Sequence, residues 1–413
     1  MKITFKKIFH WTKRRLAKLW LLFNPQLTII GVTGSYGKTV TSLAINKVLS
    51  EKYKTLQTDL NLDTIYNLPI TILKARHFHQ KLILEYGVDH KNEMNFHLSL
   101  VKPDLAVMTG INPTHSESEL LGSVENIIAE KKKLLLSLSP SKTAFLNYND
   151  LQVRLMTKDI KAKVVYYGLD KQNCDFWAQD IEVGFNGTSF KLGIKSNHDG
   201  KLIDIKTGLV GRHVIEPCLA AIAIGLDQKV DLEDIKKALM NLKSLPGRLS
   251  IESGPLKSIL LNDSLRANPA STKAGLQTLK DLGCLGKKIA VLGEMGELGK
   301  SAEEEHQLLG DFIAKLKIDY FIGIGPLQKL TISQAIKSGM DKDKVFWAKD
   351  IFQATEVLKK VLKKNDLFYL KGSRLRHMER ILMLLDNKEV GCLVNNCHFY
   401  TQCKSCAYLK TGL

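Results

Sequence analysis

The hydrophobic positions change period along the chain, and the changes mark its elements. From Lys2 to Phe23, Lys6, Lys7, Lys13, Arg14, Arg15 and Lys18 alternate with Ile8, Phe9, Trp11, Leu16, Leu19, Trp20 and Leu22, which reads as a basic amphipathic helix that Pro25 ends. At Leu27 the pattern becomes a short β-branched run, Leu-Thr-Ile-Ile-Gly-Val, followed by a glycine loop and a helical segment from about Thr39 to Leu49. Further apolar runs at Leu82 to Leu84, Leu105 to Met108 and Thr143 to Leu146 alternate with helical stretches, as in a largely parallel α/β sheet. After Leu245-Pro246-Gly247-Arg248 a second series begins, with strands expected at Ser258 to Leu261, Lys288 to Leu292, Tyr320 to Ile324, Val345 to Trp347 and Leu367 to Leu370. That alternation predicts a separate doubly wound, Rossmann-like domain. The expected organisation is a basic arm over 1–26, an α/β domain of P-loop type over 27–246, the doubly wound domain over 247–388 and a cysteine-rich tail over 389–413.

Length and composition narrow the classes. With 413 residues and 44% apolar composition, the chain can bury the cores of two or three domains. The formal net charge of +18 calls for an anionic partner: a nucleotide, a phosphorylated substrate, a nucleic acid or an anionic lipid surface. No segment reaches the roughly 18 uninterrupted apolar residues of a spanning helix, and no small-residue cleavage site follows an apolar core, so the expected location is the cytoplasm. The basic helix adds two open readings: it lies on the anionic inner face of the membrane, or it packs on its own domain.

The glycine loop carries the sharpest chemistry. Gly34-Ser35-Tyr36-Gly37-Lys38-Thr39 lies between a strand and a helix, where backbone N–H groups converge and the helix dipole favours negative charge. Lys38 is placed to reach terminal phosphates and the Thr39 hydroxyl to join a Mg²⁺ shell. Val32 stands where the longer P-loop spacing demands glycine, so the shorter Gly-x-x-Gly-Lys-Thr form is what remains.

With Thr33 before it, this loop resembles the ATP loop of Mur ligases, the enzymes that assemble the peptide of peptidoglycan. Other segments agree in order: Glu85-Tyr86-Gly87-Val88-Asp89-His90, Asn112-Pro113-Thr114-His115, Asn147-Tyr148-Asn149-Asp150, Gly211-Arg212-His213 and Pro246-Gly247-Arg248-Leu249. In the last domain, Asn262-Asp263-Ser264 with Ala267-Asn268-Pro269, Gly293 to Gly299, and Lys371-Gly372-Ser373-Arg374 are similar to the branch that adds D-alanyl-D-alanine. The match spans about residues 27 to 385.

The resemblance implies ATP and Mg²⁺ as cofactors, with Glu85 and His115 joining Thr39 as Mg²⁺ ligands, a set of donors that suits a hard cation bridging phosphates. It implies a carbamylated lysine near a second metal, for which Lys131 is the best match; read as a sequence alone, Lys131-Lys132-Lys133 is a solvated basic helix face. Arg248 would join Lys38 in neutralising the transferred group, and Asp263 would accept hydrogen bonds from ribose hydroxyls. The chain departs from the family at Val214 and Pro217, where two asparagines usually help hold adenine, and at Asn262, Leu265 and Arg266. The family's domain that grips the uridine-diphosphate end of the substrate normally precedes the phosphate loop; only about thirty residues do so here, and the expectation is a chain without it.

Seven cysteines, four of them in the last 22 residues, do not read as a disulfide framework, and Cys174, Cys218 and Cys284 look isolated. Cys392, Cys397, Cys403 and Cys406 could close a tetrahedral Zn²⁺ site; an iron–sulfur cluster would accept the same ligands, and free or redox-active thiols are the third reading.

The expected function is an amide ligase in which ATP phosphorylates a substrate carboxylate and an amine attacks the acyl phosphate. By resemblance the acceptor is a uridine-diphosphate muramoyl tripeptide and the amine D-alanyl-D-alanine. Ligases that add glutamate to folate or amidate lipid-linked peptidoglycan use the same chemistry, and a non-catalytic nucleotide-binding scaffold of the cell wall is a further reading. A nucleic-acid-binding ATPase fits the charge but lacks interleaved aromatics and a reading module, so no nucleic-acid partner is expected.

Overall fold

The computed structural model describes residues 5–59, 64–113, 119–195, 201–397, 399 and 403–411. The chain divides into two compact units, residues 1–182, 188–208 and 213–242 forming the first and 183–187, 209–212 and 243–413 the second.

In the first unit the described chain opens with α1 (Phe5–Leu22), then β1 (Thr28–Thr33), α2 (Lys38–Leu49), β2 (Thr55–Gln57), α3 (Thr64–Lys74), β3 (Lys81–Glu85), α4 (Glu93–Leu100), β4 (Leu105–Met108), α5 (Val124–Leu136), β5 (Thr143–Asn147), α6 (Leu151–Leu155) and β6 (Lys163–Gly168). Next come β7 (Phe176–Gly184), β8 (Gly187–Ile194), β9 (Ile203–Thr207), α7 (Ile215–Asp227) and α8 (Leu232–Met240). The strands form one sheet in the order β2-β3-β1-β4-β5-β6-β7-β8-β9, parallel from β2 to β7 and antiparallel between β8 and β9. Strands β4 and β5 are buried along their whole length, so they read as unbroken apolar runs. Their core includes Leu82, Leu84, Ala106, Met108, Leu134 and Leu146. The register Val32↔Glu85 and Thr33↔Met108 brings the carboxyl ends of β3, β1 and β4 side by side. Because β3 and β4 flank β1 on opposite sides, that end is where the strand order reverses, the usual place for a ligand in an open α/β sheet.

Helix α1 sits on this unit by one face. Ala17 is fully buried, the Arg14 guanidinium donates to the Phe96 carbonyl (2.6 Å) and Ser99 Oγ (3.1 Å), and Trp20 Nε1 donates to the Ala75 carbonyl (3.0 Å).

The second unit continues with β10 (Ser250–Ser253), β11 (Ile259–Asp263), α9 (Pro269–Asp281), β12 (Lys288–Leu292), α10 (Ala302–Leu316), β13 (Tyr320–Ile324), α11 (Gln328–Lys337), β14 (Val345–Ala348), α12 (Ile351–Val361), β15 (Leu367–Lys371) and α13 (Glu379–Leu385). The sheet order is β10-β11-β15-β12-β13-β14, parallel except where β10 pairs with β11. Apolar clusters lie on both sides of the sequence alternation along these strands: Leu261, Ala290, Leu292, Phe321 and Tyr369 belong to one, Leu260, Ile289, Val291, Ile322 and Phe368 to the other. That is the signature of a sheet covered on both faces.

Candidate active site

The loop after β1 is shaped by what surrounds it. Gly34 has φ +150°, and a Cβ there would lie 2.0 Å from Thr109 Oγ1; Gly37 has φ +77° and begins α2. Thr109 closes the loop from the end of β4, its hydroxyl donating to the Tyr36 carbonyl (2.5 Å), while Ser35 N–H donates to the Gly110 carbonyl (2.7 Å). The Tyr36 hydroxyl donates to Asp150 Oδ2 (2.9 Å), which also accepts from Ile111 N–H (2.8 Å). Burial, then the Asp150 charge, holds the Tyr36 hydroxyl far above its ordinary range, so it stays a donor. Gly37, at the start of α2, has no side chain to cap it, which suits the first N–H groups of the helix to an anion.

Lys38 begins α2, and its ammonium bends back to donate to the Gly34 carbonyl (2.8 Å). Thr39 Oγ1 lies 3.5 Å from Glu85 Oε2 at the end of β3. The hydroxyl and carboxylate expected to share a Mg²⁺ thus meet across 46 residues of sequence. They are hard oxygen donors beside an anion-binding helix start, a fit for that ion. His115 lies outside the described residues.

Lys131 departs from the solvated-face reading. Ser123 caps α5 by accepting from Asn126 N–H, and the helix then turns Ile127, Glu130, Lys131, Leu134 and Leu135 inward. Lys131 is 1% exposed, and its amine has no hydrogen-bond partner among the described residues. Burial pushes the amine down to about 7; the Lys38 charge pushes the same way, against Asp89, Glu93 and Glu130. Glu130 is engaged elsewhere, accepting from Met94 N–H (2.8 Å) and Lys133 (2.6 Å).

In the second unit, Asp263 ends β11 and Lys371 ends the adjacent β15, in register with each other. Asp263 Oδ2 accepts from the Lys371 ammonium (2.6 Å) and the Tyr369 hydroxyl (3.1 Å). Arg248 is close enough to lower the Lys371 amine further, although burial is the main cause and Asp263 opposes it. Arg248 and Asp263 therefore belong to the second unit, whereas Lys38, Thr39, Glu85 and Lys131 belong to the first. The loop after β12 is pinned from α10: buried His306 accepts from Met295 N–H on Nε2 (3.2 Å) and faces the Ala302 carbonyl with Nδ1 (2.6 Å), and burial lowers its pKa. Arg376 pairs with Glu294 of the same loop.

Sequence reasoning singled out neither Thr109, Tyr369 nor His306. Lys371 and Asp150 stood inside quoted motifs without a role, and only strand order makes them partners of Asp263 and Tyr36. Cys392, Cys397, Cys403 and Cys406 line one small cavity, and Cys174 and Cys218 are buried free thiols.

Comparison with known proteins finds two family matches along the chain. Residues 32–225 match the Mur ligase middle domain and residues 247–374 the Mur ligase glutamate ligase domain. The chain is 32% identical over 357 residues to the UDP-N-acetylmuramoyl-tripeptide–D-alanyl-D-alanine ligase of Bacillus subtilis, covering 86% of this chain and 75% of that protein. It is 28% identical over 370 residues to the Escherichia coli protein of the same name, covering 89% and 78%. Among solved structures, MurF from Acinetobacter baumannii superposes with a TM-score of 0.81 at 26% identity, over 92% of this chain and 81% of that one.

Proposed function

Since this chain belongs to the Mur ligase family, we propose that it is an ATP-dependent ligase that joins D-alanyl-D-alanine to a UDP-N-acetylmuramoyl tripeptide in peptidoglycan synthesis. The observation that carries this reading is the meeting of Thr39 and Glu85 at the anion-binding start of α2, beside Lys38. A free carboxylate is a poor electrophile, so the substrate carboxylate attacks the γ-phosphorus of ATP, the bond to the bridging oxygen breaks and ADP leaves. The amine then attacks the acyl carbon and inorganic phosphate departs.

Each residue has a place in that sequence. The N–H groups of residues 36 to 39 and the Lys38 ammonium bind the phosphates and oppose the charge that builds on the transferred group. Thr39 and Glu85 would hold Mg²⁺, with His115 joining them by the family resemblance, and the ion would supply positive charge to the phosphates. The Tyr36–Asp150 bond keeps the loop in its binding shape. Lys131, neutral in a good part of the molecules near pH 7, attacks CO₂ through nitrogen, loses a proton and becomes a carbamate whose oxygens suit a second Mg²⁺. In the second unit Asp263, held by Lys371 and Tyr369, would accept from ribose hydroxyls, and the family resemblance gives Arg248 the neutralisation of the transferred group.

The test is phosphate release by the purified full chain with ATP and Mg²⁺. It should require both the tripeptide nucleotide and D-alanyl-D-alanine and match the pentapeptide product one to one by mass spectrometry. Phosphate release indifferent to both substrates, or product formed only with glutamate and a folate, would overturn the assignment.

A second reading concerns where the enzyme works. On the side of α1 away from its buried face, Trp11, Leu19, Leu22 and Phe23 are more than half exposed, with Arg15 stacked 3.5 Å over the Trp11 ring and Lys18 exposed nearby. No described helix is long and apolar enough to cross a membrane. Exposed aromatic and leucine side chains interleaved with cations suit the headgroup boundary of an anionic bilayer, and we infer peripheral attachment there. Sedimentation with vesicles containing phosphatidylglycerol should carry the protein down at low salt and lose it at high salt. A Trp11→Ser, Leu19→Ser, Phe23→Ser variant should remain in the supernatant, and equal binding by both proteins would remove this reading.

A further inference from the structure

The ligase reading makes no use of the C-terminal segment, yet its packing is specific. Cys392, Cys397, Cys403 and Cys406 line one small cavity with His377 and Arg380. The cysteine backbones are tied down: Cys392 N–H donates to the Leu409 carbonyl (3.0 Å), Cys397 N–H to the Leu375 carbonyl (2.8 Å), Cys403 N–H to Glu379 Oε1 (3.3 Å) and Cys406 N–H to the Cys403 carbonyl (3.0 Å). The last of these closes a turn that puts two thiols of a Cys-x-x-Cys step on the same cavity.

Arg380 gives the cavity its electrostatic character. It is 1% exposed, and the partners of its guanidinium are the carbonyls of Arg376, His377, Cys392 and Val394, with no carboxylate in ion-pair range among the described residues. Carbonyl dipoles stabilise such a cation only in part, so a compensating negative group is called for. Thiols protonated in an apolar pocket do not supply one. Four thiolates on a divalent ion carry a net charge of −2 and do.

A different trio offers ligand atoms within 4.8 Å of one another: His377, Glu379 and Cys403. That closeness has its own cause. Glu379 Oε1 lies 3.0 Å from His377 Nδ1 and accepts from the Cys403 N–H, while His377 Nε2 lies 3.0 Å from the Phe399 carbonyl. Both imidazole nitrogens are thus engaged in bracing the segment, which leaves the thiols as the ligands.

We propose that residues 392–406 bind one structural Zn²⁺ through Cys392, Cys397, Cys403 and Cys406, with Arg380 as the buried counter-charge. Four S–H protons are released and four Zn–S bonds form. At about 2.3 Å per bond the four sulfurs would lie about 3.8 Å from one another around the ion. The closed shell leaves no position for substrate, so the ion fixes the end of the chain against α13 and stays outside the ligation chemistry. The inference does not rest on the ligase reading.

Full-length protein purified without chelator should carry about one Zn²⁺ per chain by elemental analysis. Titration with a mercurial should release it in step with modification of about four thiols. Cys403→Ser combined with Cys406→Ser should lower the zinc content at least tenfold with ATP binding retained, whereas His377→Ala and Glu379→Gln should keep it. Should the double serine variant prove insoluble, the mercurial release from the unaltered protein decides by itself. Zinc-free protein with readily modified thiols, iron with acid-labile sulfide in place of zinc, or zinc lost with His377 or Glu379 but kept by the double serine variant would each overturn the proposal.

Discussion

Lys131 and Lys371 are each 1% exposed, one in each unit, and their surroundings solve the same problem in opposite ways. Lys371 ends a strand beside Asp263 and holds its carboxylate at 2.6 Å, with the Tyr369 hydroxyl on the same oxygen. Lys131 lies on the inward face of α5 without a hydrogen-bond partner among the described residues, and burial brings its amine down to about 7. Burial lowers both amines, but one has a carboxylate to offset it and so belongs to the architecture, whereas the other has none within hydrogen-bond range and is the one the proposed carbamylation would use. The family resemblance points to Lys131 and quotes Lys371 within a motif, but what each lysine does is told only by its partner, or by the lack of one among the described residues.

The largest effect should come from breaking the compensated pair. Lys371→Met leaves the Asp263 carboxylate without its main counter-charge, and a loss of about 3–5 kcal/mol of stability is expected by urea denaturation. Adding Asp263→Asn to Lys371→Met should restore most of it, since no charge is then stranded. If the double variant is no more stable than the single one, the pair is not what Lys371 contributes. Lys131→Met should instead leave the fold intact and lower the ligation rate by about 100-fold, the scale expected when one electrostatic group at a phosphoryl-transfer site is lost. A rate within a fewfold of the parent's would exclude Lys131 from the metal site.

What could be read beforehand follows the same division. Strands buried on both faces, such as β4 and β5, appear as continuous apolar runs, and the glycine loop between a strand and a helix announces itself. Strands β7 and β8 are faint in the sequence because Asp180, Glu182 and Lys191 interrupt their apolar positions and each strand alternates inward and outward residues only in part. Lys131 is singled out by the family resemblance, while its own stretch of three lysines reads as a solvated face; yet Ile127, Lys131, Leu134 and Leu135 fall at helical spacing on one stripe and so mark it as the inward one. The Asp263–Lys371 pair spans 108 residues and depends on β15 adding between β11 and β12, information that resides in the strand order alone.

The uncompensated lysine also has a stability signature of its own. A group whose folded pKa lies at about 7, below its unfolded value near 10.5, imposes a penalty that is complete below pH 7 and fades as pH rises to 10.5, because only the unfolded chain holds the proton in between. Removing the amine in Lys131→Met should therefore stabilise the protein in bicarbonate-free buffer by a few kcal/mol at pH 6.5, and the gain should shrink towards pH 10. Thermal unfolding of both proteins across that range measures it. A gain that does not vary with pH would mean that Lys131 is not buried as a free amine.

The smallest effect tests how finely the compensated side is built. The Tyr369 ring is fully buried against Gly275 of α9, where a Cβ would lie 2.0 Å from its hydroxyl, so the ring has no room to swing away from Asp263. Tyr369→Phe keeps the ring and removes one of the two donors to Asp263 Oδ2, while the Lys371 ammonium stays in place. The carboxylate is left with its counter-charge and one fewer hydrogen bond, and the expected loss is about 1 kcal/mol, well below that of Lys371→Met. If Asp263 also accepts from ribose, the weaker hold on its plane should raise the KM for ATP a fewfold with little change in kcat. A stability loss as large as that of Lys371→Met would show that the hydroxyl and not the ammonium is what makes the buried carboxylate tolerable, and the contrast between the two lysines would then have to be redrawn around Tyr369.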